Sequence, residues 1–235
     1  MSKFEYKPES GNVSIVIVGA FNPLMFHPEW FLKNNVVAPG EIEAIMAKST
    51  ANNEDPFVVT PNFTIFSTSQ LLFNIFPDKF SITAIKEPFS IAQDAVKKTF
   101  ENLGSMPMKA MGINSSAHFK MLSLSKYQEF GDRLTPKNYW EYLLKDEVKG
   151  DDRKSGLAQL TMKKERKDPK GAIVVSVGPS GRFFPEIPGV YILCNDHYDF
   201  DKEIYAEKAS YLLDKYFDAS LQESLKIQMS LFEGL

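Results

Sequence analysis

The sequence predicts an α+β fold: a mainly antiparallel, curved sheet with helices on one face, built as two halves of similar order (pseudo-duplicated β-α-β-β-β-α units). Three observations carry this expectation. Residues 13–18 read VSIVIV, a β-branched run. Short apolar or alternating runs separated by turn residues recur in each half, as neighbouring strands would. Each half then closes on a stretch with apolar residues at helical spacings of three and four.

The run at 13–18 is apolar at nearly every position, the pattern of a central strand covered on both faces. Asn22-Pro23 turns the chain, and His27-Pro28-Glu29-Trp30 follows. Proline suits the first helical position, where its missing N–H costs nothing, and glutamate suits the positive end of the helix dipole. A short helix to about residue 34 is expected. His27 satisfies a backbone group at its start, and Trp30 and Phe31 enter the core. Residues 41–48 fit a strand or a helical turn equally well. AKSTANNEDP, residues 47–56, reads as an acidic, Asn-rich loop. FVVTPNFTIF, LLFNIF and FSITAIK are strand runs. Pro61 puts an edge or bulge in the first, and Pro77-Asp78 marks a hairpin turn. Ser90-Ile91-Ala92-Gln93 reads as a capping box. Ala92, Val96, Phe100 and Leu103 then share one helical face, and Gly104 stands at the C-terminal cap.

The second half repeats this order. A strand is expected at 108–121. Helices are expected at about 125–130, stopped by Gly131-Asp132, and at about 136–144, with Thr135 as N-cap and Pro136 in the first turn. VKGDDRKSG is a solvated loop. Strands follow at about 157–167, 172–177 and 190–197. A long helix at about 202–232 carries the apolar stripe Leu213, Phe217, Leu221 and Leu225. The halves span 12–105 and 106–235. Their link, Gly104-Ser105-Met106-Pro107, is too short to free two lobes, so one compact domain over 1–235 is expected.

Composition narrows the function. The 235 residues are 43% hydrophobic and 24% charged, with a formal net charge of −3, as in ordinary globular proteins. No global basic field attracts nucleic acid or an anionic membrane. The N-terminal MSKFEYKPESGN is polar and lacks the apolar stretch of a signal peptide. No apolar run approaches the roughly 20 residues that span a bilayer. Cys194 is the single cysteine, which leaves no intrachain disulfide and no cysteine-rich zinc site and fits a reducing cytoplasm.

Strand, helix, strands, helix, twice over, resembles the saddle fold of the TATA-binding protein. That resemblance implies a curved sheet with helices on its convex side and a free concave side. The family's sheet face is basic and wedges phenylalanines into DNA. This chain has nineteen phenylalanines but the wrong overall charge, and fold does not fix function. FNPLMFHPEWF, MGINSSAHF, GDRLTP, LAQLTM and GVYILCNDHYDF resemble stretches of uncharacterised bacterial proteins. This second resemblance implies a bacterial, cytoplasmic, single-body protein and brings no activity with it.

The candidate site residues lie on strands. In MKAMGINSSAHFKM, Asn114, Ser116, His118 and Lys120 share one face and the apolar residues share the other. Gln159, Thr161 and Lys163 alternate likewise, as do Asn195 and His197. If these strands are neighbours, their polar faces merge, beside an apolar patch at Val16 and Val18. A mixed surface of this kind suits a protein partner.

Metal binding is not expected. None of the three histidines, His27, His118 and His197, has a partner at ligand spacing, and Cys194 and His197 point to opposite faces of one strand. Ser116 and His118 lack a glycine elbow. GPSGR, residues 178–182, lacks the lysine and helix of a phosphate loop and reads as a hairpin turn. The expectation is therefore a non-enzymatic binding or assembly protein, without cofactor, acting through a protein partner or self-association. Asn114, Ser116, His118, Lys120, Thr161, Lys163 and His197 are its candidate contacts. Two alternatives stand beside it. One is nucleic-acid binding through the sheet face and Lys163, Lys164, Arg166 and Lys167. The other is an enzyme with a site around His118, which requires a pocket joining His118 to His197.

Overall fold

The computed structural model describes residues 6–52, 57–104, 106–145, 155–184, 186–204 and 206–233. The first half runs β1 (Pro8–Gly19), α1 (Pro28–Lys33), α2 (Pro39–Asn52), β2 (Phe57–Val59), β3 (Thr64–Ser67), β4 (Leu71–Ile75), β5 (Lys79–Ala84) and α3 (Ser90–Glu101). The second runs β6 (Met108–Lys120), α4 (Leu124–Leu134), α5 (Glu141–Leu144), β7 (Leu160–Lys167), β8 (Lys170–Pro179), β9 (Gly189–Ile204) and α6 (Ala206–Ser230). The described residues form one curved, nine-stranded antiparallel sheet, ordered β2-β3-β4-β5-β1-β6-β9-β8-β7. The order is mirrored about the central pair β1–β6: each half steps outward from its first strand to its last and then back down the chain.

The covered face is set by alternation. Val13, Ile15 and Ile17 of β1 are buried, in register with Ala84, Ile82 and Phe80 of β5 and with Ser115, Ile113 and Met111 of β6. The helices α3 and α6 lie over this face, tied together by Lys97 Nζ to Asp214 at 2.6 Å and by Gln93, whose amide donates to the Leu213 carbonyl. Ser14, Val16 and Val18 point the other way and are half-buried. The strand is thus central but covered by helices on one face only. Its β-branched run is explained by flanking strands on both sides, not by a second layer.

Phe21, Phe26, Phe31, Phe66, Phe73, Phe80 and Phe100 pack into one core under the first half. No phenylalanine is among the exposed large apolar side chains of the described residues, so the phenylalanine richness serves the interior. His27 caps α1 as expected: its Nδ1 accepts from the Glu29 N–H at 3.3 Å, with Pro28 in the first turn.

Several expectations are corrected. Residues 39–52 form α2, so 47–52 are helical, while 53–56 of the expected loop lie outside the described residues. Pro39 starts this helix, and Ile42 and Ile45 pack inward at a spacing of three. The stretch 57–84 makes four strands, not three. The capping box at Ser90 does not form. Phe89 is the N-cap, and Gln93 reaches across to α6 instead, a tertiary bond outcompeting a local one. Gly104 is not the cap of α3, which ends at Glu101 with Asn102 after it. The helix α4 runs through Gly131, and an added Cβ there would sit 3.0 Å from Leu157 Cβ. That glycine serves close packing. Thr135 ends the helix, donating from its N–H and its hydroxyl to the Gly131 carbonyl. The expected helix at 136–144 divides into a 3-10 turn, Lys137–Tyr139, and the single turn α5. In place of a tight hairpin turn, β8 ends at Pro179 and β9 begins at Gly189, with turns at 181–184 between them.

The stripe of α6 also shifts. Leu213 and Phe217 are buried, but Leu225 is 49% exposed, and Ser220, Ser224 and Gln228 take the inward positions. Steps of four overshoot a 3.6-residue turn by about 40° each, so a strict i+4 row drifts off the seam. Beneath this end lie the small residues Ser115 and Cys194, and Gln228 Nε2 donates to the Ser115 carbonyl at 3.3 Å. Among the described residues no helix is long and apolar enough to cross a membrane.

Candidate functional site

The sheet face opposite the helices carries the polar side chains in two merged rows. Asn12 of β1 pairs with Ser116 of β6, then Leu193, Ser176 and Thr161 follow on β9, β8 and β7. One step along, Ser14, Asn114, Asn195, Val174 and Lys163 line up in the same way. Much of this surface satisfies itself. Thr161 Oγ1 lies 3.2 Å from Ser176 Oγ, Lys163 Nζ lies 3.1 Å from Glu165, and His197 Nε2 lies 3.0 Å from Asp199. Lys120 is exposed at the end of β6.

His118 is half-buried beside residues 180–184. Its Nδ1 lies 2.8 Å from Ser180 Oγ, and its ring packs on Tyr191 at 4.8 Å and meets the edge of Phe183. Burial, and after it the Arg182 charge, hold the imidazole below its ordinary value. His118 stands opposite Tyr191, whereas His197 stands opposite Gly112, a separation of about 20 Å along the strands. The two histidines do not converge. Among the described residues no three His, Cys, Asp or Glu side chains gather at metal-binding distance.

The basic run splits between two faces. Lys163 and Lys167 point to the open face and line a depression of about 600 Å³ with Asn195, His197 and Asp199. Lys164 and Arg166 point to the helix side, in register with Ile173 and Gly171. Arg166 is therefore not a free phosphate contact. Its guanidinium donates to Asp196 at 2.7 Å and to the carbonyls of Pro169 and His197, and it lies 4.5 Å from the Tyr198 ring centroid. The Tyr198 hydroxyl donates to the same carboxylate at 2.6 Å. Burial first, then the carboxylate, raise the Tyr198 pKa. Alternation along β7 sends every second cation away from the open surface.

A cluster of exposed apolar side chains lies elsewhere. Tyr139, Trp140, Tyr142 and Leu143 are 81, 50, 89 and 72% exposed. They sit on the 3-10 turn and α5, and Trp140 and Leu143 line a hollow with Gly156, Leu157, Ala158 and Gln159, just before β7. After this segment β7 is an edge strand among the described residues, with Met162 at 64% exposure. Sequence reasoning missed this surface by treating 136–144 as one packed helix. The available signal was four large apolar residues within five positions, YWEYL, between turn-forming residues and a charged loop.

A second concave feature lies at the start of β1. The strand β5 ends at Ala84, opposite Val13, while β1 continues back to Pro8 paired with β6 alone. A cleft of about 640 Å³ opens beside residues 8–12, between that edge, the segment 85–89 and α6. Ser116 lines it and is 4% exposed, and among the described residues neither its Oγ nor that of Ser10 has a hydrogen-bond partner.

No protein-family model matches the chain, and no curated protein matches it either.

Proposed function

We propose that this is a binding or assembly protein that engages a protein partner, or a second copy of itself, through the aromatic surface of residues 139–143. One observation carries the reading: two tyrosines, a tryptophan and a leucine stand exposed side by side on a 3-10 turn and the single turn α5. Contiguous exposed apolar patches mark interaction sites, and tryptophan and tyrosine dominate interface energetics. The neighbouring edge strand β7 adds unpaired backbone, while its lysines discourage indiscriminate sheet-to-sheet pairing. A reducing cytoplasm is part of this proposal, since the one cysteine is a free, buried thiol.

The test compares the wild type with the double variant Tyr142→Ser, Leu143→Ser. Light scattering on a sizing column, alone and with host extract, is expected to show a larger species that the variant loses while its unfolding midpoint is unchanged. A monomer in both preparations, with no retained partner in either, contradicts the reading.

A second reading rests on the open-face depression, where Lys163 and Lys167 stand beside Asn195 and His197. Lysines so arranged suit a phosphate backbone without reading its sequence. Salt-dependent binding of single-stranded RNA or DNA, weakened by Lys163→Glu with Lys167→Glu, favours it. Binding that ignores both salt and these changes counts against it.

A further inference from the structure

The cleft beside the start of β1 is independent of the aromatic surface, and it combines two features. The first is an unpaired strand edge. Residues 8–12 of β1 have β6 on one side and no strand on the other, and no backbone hydrogen bond among the described residues joins them to 85–89. Exposed edges of this kind accept a further strand. The second is an apolar wall. Val13, Phe89, Leu221 and Leu225 face the cleft, and the outward drift of the α6 stripe is what brings Leu221 and Leu225 there.

We propose that the cleft receives an extended peptide segment bearing a large aliphatic side chain. Its backbone pairs with the edge at residues 10–12, in line with β5 and past the irregularity between Pro8 and Ser10, and its aliphatic side chain seats against Leu221 and Leu225. A volume of about 640 Å³ falls in the range of formed ligand sites. Gly11 holds the edge close to β6: an added Cβ would lie 2.6 Å from the Ser116 carbonyl oxygen. The rim is charge-balanced, with Glu9 and Glu87 against Lys86 and Arg182, so the segment is selected by backbone and shape more than by charge.

The probe is a short capped peptide alternating threonine and leucine, titrated into the isotope-labelled full chain by NMR. The amide signals of Gly11 and Asn12 are expected to move and saturate at millimolar peptide. The same peptide methylated on its backbone nitrogens loses at least about tenfold in affinity, because it cannot donate to the edge. Leu225→Ser loses about tenfold as well, through lost apolar contact. Leu225 is half-exposed, so its replacement leaves the unfolding midpoint as a valid control. Equal binding of the methylated peptide overturns the proposal. So does a response of Gly11 and Asn12 to decanoate and not to the peptide, which would make the cleft a site for an amphipathic small molecule. Unmoved Gly11 and Asn12 signals at the solubility limit of the peptide also overturn it.

Discussion

The segment after β1 and the segment after β6 occupy equivalent places in the two halves, and both carry prolines and clustered aromatic residues. After β1, Phe26 and Phe31 are fully buried, and their rings meet Phe80 at 5.4 Å and Phe73 at 4.7 Å. The helices α1 and α2 lay this cluster over β3, β4 and β5, where Phe66 and Phe73 stack at 4.3 Å. After β6, α4 packs Tyr127 and Phe130 inward, but the chain then manages only a 3-10 turn and the single turn α5. Tyr139, Trp140, Tyr142 and Leu143 remain outside. The outer strand β7 is exposed at most positions, and Arg166, Asp196 and Tyr198 hold the outer strands together with charge where the first half uses phenylalanine. Aromatic density does not decide burial. Phe26 is buried from the end of a three-residue 3-10 turn and Phe31 from the six-residue α1, so the partners that the sheet offers decide it more than helix length does.

The sharpest way to break this comparison is to cut each cluster. Phe31→Ala is expected to cost about 3–5 kcal/mol, as a large side chain removed from a packed core. Tyr142→Ser is expected to change stability by less than about 0.5 kcal/mol, as an exposed substitution. Urea unfolding followed by fluorescence measures both, and similar costs would erase the distinction. A second cut addresses the charged network. Arg166→Met should cost about 3–5 kcal/mol because Asp196 is left buried without its partner, whereas adding Asp196→Leu should recover much of the loss. No recovery in the double variant would mean that the two side chains do not act as a pair.

Acidity separates the halves more gently. His118 is held below its ordinary 6.5 by burial and by Arg182. The unfolded chain therefore takes up this proton first as the pH falls. The contribution of neutral His118 to stability is whole above about 6.5 and is lost as the pH drops through the lower folded value. Wild-type unfolding midpoints should fall more steeply between neutral and mildly acidic pH than those of His118→Gln, and parallel curves would remove His118 from the account. The smallest effect is chemical. Burial pushes the Cys194 thiol up to about 11, so a thiol reagent reacts only when the second half opens. If the central pair β1–β6 couples the halves, Phe31→Ala speeds that labelling and Tyr142→Ser does not. Equal labelling rates in the two variants would mean that the halves open separately.

Much of this architecture is legible in the residues. Alternation in 108–120 and 190–197 predicts the polar rows, and His27-Pro28-Glu29 predicts the start of α1, because both patterns are local. Features that depend on a distant neighbour are hidden. Gly131 looks like a helix stop, yet it is a contact with Leu157. Leu225 fits an i+4 stripe, yet the seam of α6 follows Ser220, Ser224 and Gln228 because small residues lie beneath it. Arg166 belongs to a basic run, yet its partner is thirty positions away on β9. The exposed aromatic surface is hidden for the same reason: its sequence resembles that of a buried helix, and its exposure depends on what the fold places beside it.

The most direct measurement places a photoreactive benzophenone amino acid at position 142 and, as a control, at the exposed Glu223 on α6. Both are expressed in the native host and irradiated. The account predicts a discrete cross-linked species from position 142, either a second copy of this chain or one partner polypeptide, and none from position 223. Equal or absent cross-linking at the two positions would contradict it.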